Sequence, residues 1–121
     1  EVTMLVEFRR LSPAEPVYSA ATLQVQPGQR LAYVADAAGT PDNLEKIASF
    51  CRDVDHLFVE AAFSDRHRDV ALQKLHLTAR QAGELARACR VKQYSLFHYS
   101  PRYSDCPELL EEESARAFLN E

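Results

Sequence analysis

The sequence has no apolar run approaching the roughly 20 residues that a membrane-spanning helix needs. Nor has it a basic start followed by an apolar core of the kind that directs secretion. Neither a membrane protein nor a cleaved leader is expected. An excess of basic charge is also missing, since the formal net charge is -4. Nucleic-acid binders draw most of their affinity from neutralising phosphates, so a metal-free nucleic-acid module is not supported, and only a local basic patch stays open. There is no Cys-x-x-Cys pair. The three cysteines, Cys51, Cys89 and Cys106, are widely spaced and odd in number, which argues against a structural zinc knuckle and against a disulfide framework. Cys51 and Cys89 fall in helical patterns and read as small buried hydrophobes. A reducing, cytoplasmic location is the default expectation from this cysteine usage. Internal repeats and low-complexity stretches are absent. The chain opens on Glu1 rather than methionine, which reads as a piece of a longer protein.

What is present is an ordinary folding composition. Of 121 residues, 46% are hydrophobic and 26% charged, enough apolar content for one small domain or part of a larger one. Residues 2–8 are rich in strand formers, and 11–16 hold two prolines and read as a loop. Residues 21–26 and 30–34 are strand-like and flank Pro27-Gly28, a turn signal, so the pair predicts a β-hairpin. Thr40 caps a predicted helix with Pro41 at its first position, where the missing N–H costs nothing. Leu44, Ile47, Ala48 and Cys51 then recur at helical spacing. Leu57-Phe58-Val59 is an apolar strand ending at Glu60. A short helix is expected over 66–74. Thr78 and Gln81 fit a capping box, with Ala82, Leu85, Ala86 and Cys89 as the apolar stripe behind it. Residues 93–97 form a strand ending at His98, and a last helix covers 108–119. The expected order is β-hairpin, then β-α-β-α-α-β-α, an α/β arrangement with a parallel sheet.

Three polar residues stand at the carboxyl ends of three apolar strands: Asp36, Glu60 and His98. Ligands bind along that edge in open α/β sheets. Either these residues merely cap the loops that follow, or they converge above the sheet as a metal or catalytic cluster. His76 precedes the capping box, where the positive end of a helix lowers a histidine's proton affinity, so it reads either as a proton donor or as a loop histidine. The stretch Phe97-His98-Tyr99-Ser100-Pro101-Arg102-Tyr103 crowds a metal-type ligand, a hydroxyl and a guanidinium into one loop. Arginine matches the geometry of a phosphate with paired donors. Arg66, His67 and Arg68 read as a solvated helix face, and His56 as structural.

These segments resemble the ribonuclease Z branch of the metallo-β-lactamase fold from about residue 31 to 119. The stretch from Phe97 to Tyr103 resembles that family's Thr-His-Phe-Ser-x-Arg-Tyr segment. The resemblance implies that His98 is a metal ligand and that Arg102, with Ser100 beside it, contacts substrate phosphate. Asp36 sits where the family has Gly-Asp-Thr, which implies an aspartate bridging two zinc ions, with Ala35 and Ala37 departing from the pattern. Leu57 to Phe63 resembles Leu-Ile-His-Glu-Ala-Thr-Phe: Glu60 is kept as a catalytic carboxylate, while Val59 and Ala62 differ. Leu75-His76-Leu77-Thr78 resembles Gly-His-Ser-Thr, which makes His76 the proton donor to the leaving oxygen, with Leu75 and Leu77 departing.

The implied fold for residues 1–121 is the C-terminal half of a metallo-β-lactamase αββα sandwich, with the N-terminal metal-binding half absent. That half would carry His-x-His-x-Asp-His. The histidines here are His56, His67, His76 and His98, and none are two residues apart. Asp36 and His98 alone fall short of the three protein ligands usual for a catalytic zinc. The resemblance therefore implies a zinc-dependent hydrolase, a phosphodiesterase of the ribonuclease Z kind, active only in its complete form. Two zinc ions are implied per complete site, with manganese as the other candidate, and RNA or a small phosphodiester as substrate. A half-sandwich exposes the inner face of its sheet, so a complementary N-terminal half, or self-association, is expected to cover it. The competing reading is a non-catalytic half-domain that serves as an assembly or binding module.

Overall fold

A computed structural model of the chain describes residues 29–121. The segments read from sequence as strands at 2–8 and 21–26, and the loop at 11–16, lie outside the described residues. The order is β1 (Leu31–Val34), α1 (Pro41–Phe50), β2 (His56–Glu60), a 3-10 turn (Asp65–His67), α2 (Arg68–Gln73), α3 (Ala79–Ala88), β3 (Gln93–Phe97), a second 3-10 turn (Pro101–Tyr103) and α4 (Glu108–Leu119). This matches the β-α-β-α-α-β-α order expected from residue 30 onward. The segment 66–74 differs in detail. It opens as a 3-10 turn, and His67, at φ -112° and ψ 32°, breaks it from α2.

The strands form one parallel sheet in the order β1-β2-β3. Val34 pairs with Val59 and Val59 with Leu96, so the three strands end nearly level and their exit loops share one edge. Side chains alternate between the faces. On one face Val34, Leu57 and Val59 are buried and Tyr94 and Leu96 pack beside them, covered by the helices. Thr40 starts α1 by accepting a hydrogen bond from the Asn43 N–H, with Pro41 following. Helix α3 begins at the capping box of Thr78 and Gln81, and its stripe of Ala82, Leu85, Ala86 and Cys89 is buried. α3 meets α4 at Gly83, where a Cβ would lie 2.1 Å from the carbonyl oxygen of Ser114; only a glycine allows that approach.

The other face of the sheet is aromatic and partly open. Leu31 and Tyr33 are 66% and 69% exposed. Tyr33 stacks on Phe97 with ring centres 4.6 Å apart, and His56 stacks on Phe58 at 4.3 Å. His56 also meets the Ser95 hydroxyl at 2.8 Å, the structural role expected of it. No helix among the described residues is long and apolar enough to cross a membrane.

Candidate metal centre

Asp36, Glu60 and His98 follow or end β1, β2 and β3, and His76 lies in the connection between α2 and α3. Because the strands end level, these four side chains meet. One ligand-type atom from each lies within 4.8 Å of the others. Strand ends alone single out three of the four, and the place ahead of the capping box singles out His76.

Glu60 is the centre of the group and has no solvent exposure. Its Oε1 accepts from the backbone N–H of Ala37 at 3.1 Å and of Leu77 at 3.0 Å. Its Oε2 is met by Nδ1 of His98 at 3.0 Å and Nδ1 of His76 at 3.1 Å. An ionised carboxylate only accepts, so in this arrangement both rings carry their proton on Nδ1 and leave Nε2 free. Burial alone would push the Glu60 carboxyl up. The Ala37 N–H, the His98 ring and the Leu77 N–H outweigh that and hold it below the ordinary carboxylate range. Asp36 is the open side of the group, 75% exposed, with Oδ1 3.6 Å from His76 Nδ1 and 3.9 Å from His98 Nδ1.

The donor set fits a divalent ion. Two carboxylates and two imidazoles are the usual borderline ligands of zinc. The contacts of the two Nδ1 atoms with Glu60 Oε2 and Asp36 Oδ1 run from 3.0 to 3.9 Å. These contacts hold both rings by Nδ1, so Nε2 of each imidazole, with the exposed Asp36 carboxylate, stays available to an ion.

The backbone around the site is strained. Asp36 (φ 52°), Leu75 (φ 59°) and His98 (φ 62°) all adopt the left-handed conformation that non-glycine residues avoid. Three such residues in one cluster match the way functional sites store strain. Leu75 stands where the resembled motif has glycine, and its positive φ gives the physical reason for a glycine there.

Arg102 and Ser100 lie beside the cluster rather than in it. The Ser100 hydroxyl accepts from the Arg102 N–H at 3.4 Å and so caps the 3-10 turn that carries the arginine. The Arg102 guanidinium sits 5.8 Å above the ring of Phe63, and that ring lies 6.3 Å from the His76 ring. Phe63 is thus a platform shared by both, a role that sequence reasoning missed; its place at the end of the Leu57-to-Phe63 motif is the only signal. The amide donors of Ala37 and Leu77 were also missed, because backbone groups leave no mark in a sequence. Arg68 pairs with Asp65 at the surface, as a solvated face would. His67 meets the Tyr103 hydroxyl at 2.6 Å and is structural.

The profile of the β-lactamase superfamily domain matches residues 5–99. The chain is 40% identical over 96 residues to a ribonuclease Z of Kineococcus radiotolerans, covering 79% of this chain and 29% of that protein. It is 42% identical over 86 residues to a ribonuclease Z of Phocaeicola vulgatus, covering 71% and 26%. The chain thus spans less than a third of the length of these curated relatives. Among solved structures it resembles the metallo-β-lactamase fold protein YhfI of Bacillus subtilis, with a TM-score of 0.66 and 18% identity over 76% of this chain and 35% of that one, a likeness of fold alone.

Proposed function

This chain belongs to the β-lactamase superfamily, and we propose that it supplies the carboxyl-terminal part of a metal-dependent phosphodiesterase acting on RNA. The observation that carries this reading is the convergence of Asp36, Glu60, His76 and His98 at one sheet edge. The similarity to ribonuclease Z proteins supports the phosphodiester class. The domain reading follows: residues 1–121 form the carboxyl-terminal part, and the remaining ligands come from a complementary segment or a second copy.

In this reading Asp36 and His98 hold the metal, zinc or manganese, with two ions in the complete site. When bound, the metal polarises the phosphoryl oxygen and makes water nucleophilic at neutral pH. Glu60 orients both imidazoles through Nδ1, as buried carboxylates do for ligating histidines. In its imidazolium form, with Nδ1–H held on Glu60, His76 presents Nε2–H to the leaving oxygen and donates that proton there. Arg102, held over Phe63 and oriented by the Ser100 cap, binds a phosphate next to the scissile one. The complementary segment packs on the open aromatic face of Leu31, Tyr33, Phe58 and Phe97, which excludes water from the edge above it. The free cysteines suit a reducing, cytoplasmic setting.

The test is zinc and manganese content of the purified chain, alone and with the complementary segment. Metal well below one ion per chain, rising to about two on pairing, supports a divided binuclear site. Metal absent in both states removes the hydrolase reading in favour of an assembly module.

A further inference from the structure

Two cysteines take no part in the metal centre. Cys51 closes the carboxyl end of α1 and Cys89 that of α3, and they are 1% and 0% exposed. Both side chains belong to the same buried core cluster. Cys89 Sγ also lies 3.8 Å from the Ala48 carbonyl oxygen, in the last turn of α1 before Cys51. The backbone ties the same two ends together, because the Asp53 N–H donates to the Cys89 carbonyl at 2.7 Å. Two helix ends far apart in sequence are thus held together, each with a buried thiol.

We propose that Cys51 and Cys89 form a redox-modifiable pair, which a hydroperoxide converts to an intramolecular disulfide joining the ends of α1 and α3. The electron balance is simple. The Cys51 thiolate attacks the terminal peroxide oxygen, the O–O bond breaks, and Cys51 becomes a sulfenic acid as alkoxide (or, from hydrogen peroxide, hydroxide) leaves. The Cys89 thiol then attacks the Cys51 sulfur, forming S–S and expelling the sulfenic oxygen as water. Overall two thiols are oxidised, one hydroperoxide is reduced, and the two thiol protons end in the water and alcohol (or second water) released.

The two thiols divide the roles. Cys51 closes the helix that can open, so it meets the hydroperoxide first, and Cys89, sealed at the end of α3, resolves the sulfenic acid. Access comes through α1. None of the residues in that helix is fully buried, so its carboxyl end can open at far less cost than global unfolding. Cys106 is part-exposed and belongs to neither helix end.

The test is peroxide treatment of the full chain carrying Cys106→Ser, which removes the third thiol. After quenching, unfolding and alkylation, neither Cys51 nor Cys89 should be labelled, and the intact mass should fall by two hydrogens. The two peptides should run as one until dithiothreitol separates them. The linked chain should melt higher, by on the order of 10 °C for a closed loop of about forty residues. With Cys51→Ala added, Cys89 should stay alkylatable after the same treatment. The proposal is overturned if both thiols remain alkylatable, if one gains oxygen while the other stays free, or if linkage forms only between chains.

Discussion

Nδ1 of His98 lies 3.0 Å from Oε2 of Glu60, a carboxylate sealed from solvent at the floor of the candidate site. The contact ties the end of β3 to the end of β2 and fixes which ring nitrogen faces outward. If Glu60 orients rather than ligates, Glu60→Gln should keep the fold and weaken metal binding by about 10- to 100-fold. The amide can still accept from the Ala37 and Leu77 N–H groups, but its NH2 faces Nδ1 and favours the wrong tautomer. Zinc or cobalt titration of the complete site reads this directly. Total loss of binding would instead make Glu60 a ligand.

The same carboxylate sets an acid limit. Its proton affinity in the folded chain lies below the ordinary carboxylate value. A lowered folded value stabilises the fold above the unfolded value of about 4.3, and that contribution is lost as pH falls through the folded value. Urea unfolding of the metal-free chain should therefore show falling stability below about pH 4.5. Glu60→Gln should show a shallower fall over the same window. Equal slopes for the two chains would remove Glu60 as the cause.

Leu75 holds φ 59° with its side chain 59% exposed. Left-handed backbone costs a leucine about 1–2 kcal/mol, whereas glycine adopts it freely and gives back less than that through its floppier unfolded state. Leu75→Gly should therefore stabilise the chain by up to about 1 kcal/mol, since little apolar burial is lost. The measurement is the urea midpoint at unchanged slope. A lower midpoint would show that the exposed leucine is packing against something that the strain argument omits.

Much of this fold was legible because its signals are local. Thr40-Pro41 and Thr78 with Gln81 mark helix starts within four residues, and both helices begin there. Val34, Val59 and Leu96 end apolar runs, so the polar residues beyond them could be placed on one edge. The convergence of those residues depends on strand register, a long-range property, and so remained one of two readings. The left-handed backbone at Asp36 and His98 and the amides aimed at Glu60 depend on loop paths that no short pattern encodes. The α1 stripe shows the opposite error. Leu44, Ile47 and Ala48 repeat at helical spacing yet are only half-buried, because period alone does not report how much covers a helix.

Gly83 offers a check on the helix packing that holds the site's floor. A Cβ there would meet the Ser114 carbonyl oxygen at 2.1 Å and the Ala117 Cβ at 3.0 Å. Backbone cannot rotate away as a side chain can, so α4 must shift. Gly83→Ala should cost about 1–3 kcal/mol despite alanine's better helix propensity. Thermal unfolding checks it, and a stabilised variant would mean that the α3–α4 crossing is looser than this geometry.

His76 separates the proposed roles most sharply. It shares Glu60 with His98 but differs in setting, at 22% side-chain exposure against 46%, and its ring lies beside Phe63, the ring that carries Arg102. A proton donor contributes typically 10²- to 10⁴-fold to turnover, whereas a lost ligand empties the site. His76→Ala in the completed enzyme should slow turnover within that range, leave metal content unchanged, and lose least with substrates whose leaving group needs no proton. Such a substrate makes the experiment decisive, because a merely structural histidine would slow good and poor leaving groups alike. Loss of metal along with activity would place His76 among the ligands and leave the leaving oxygen without the donor assigned to it here.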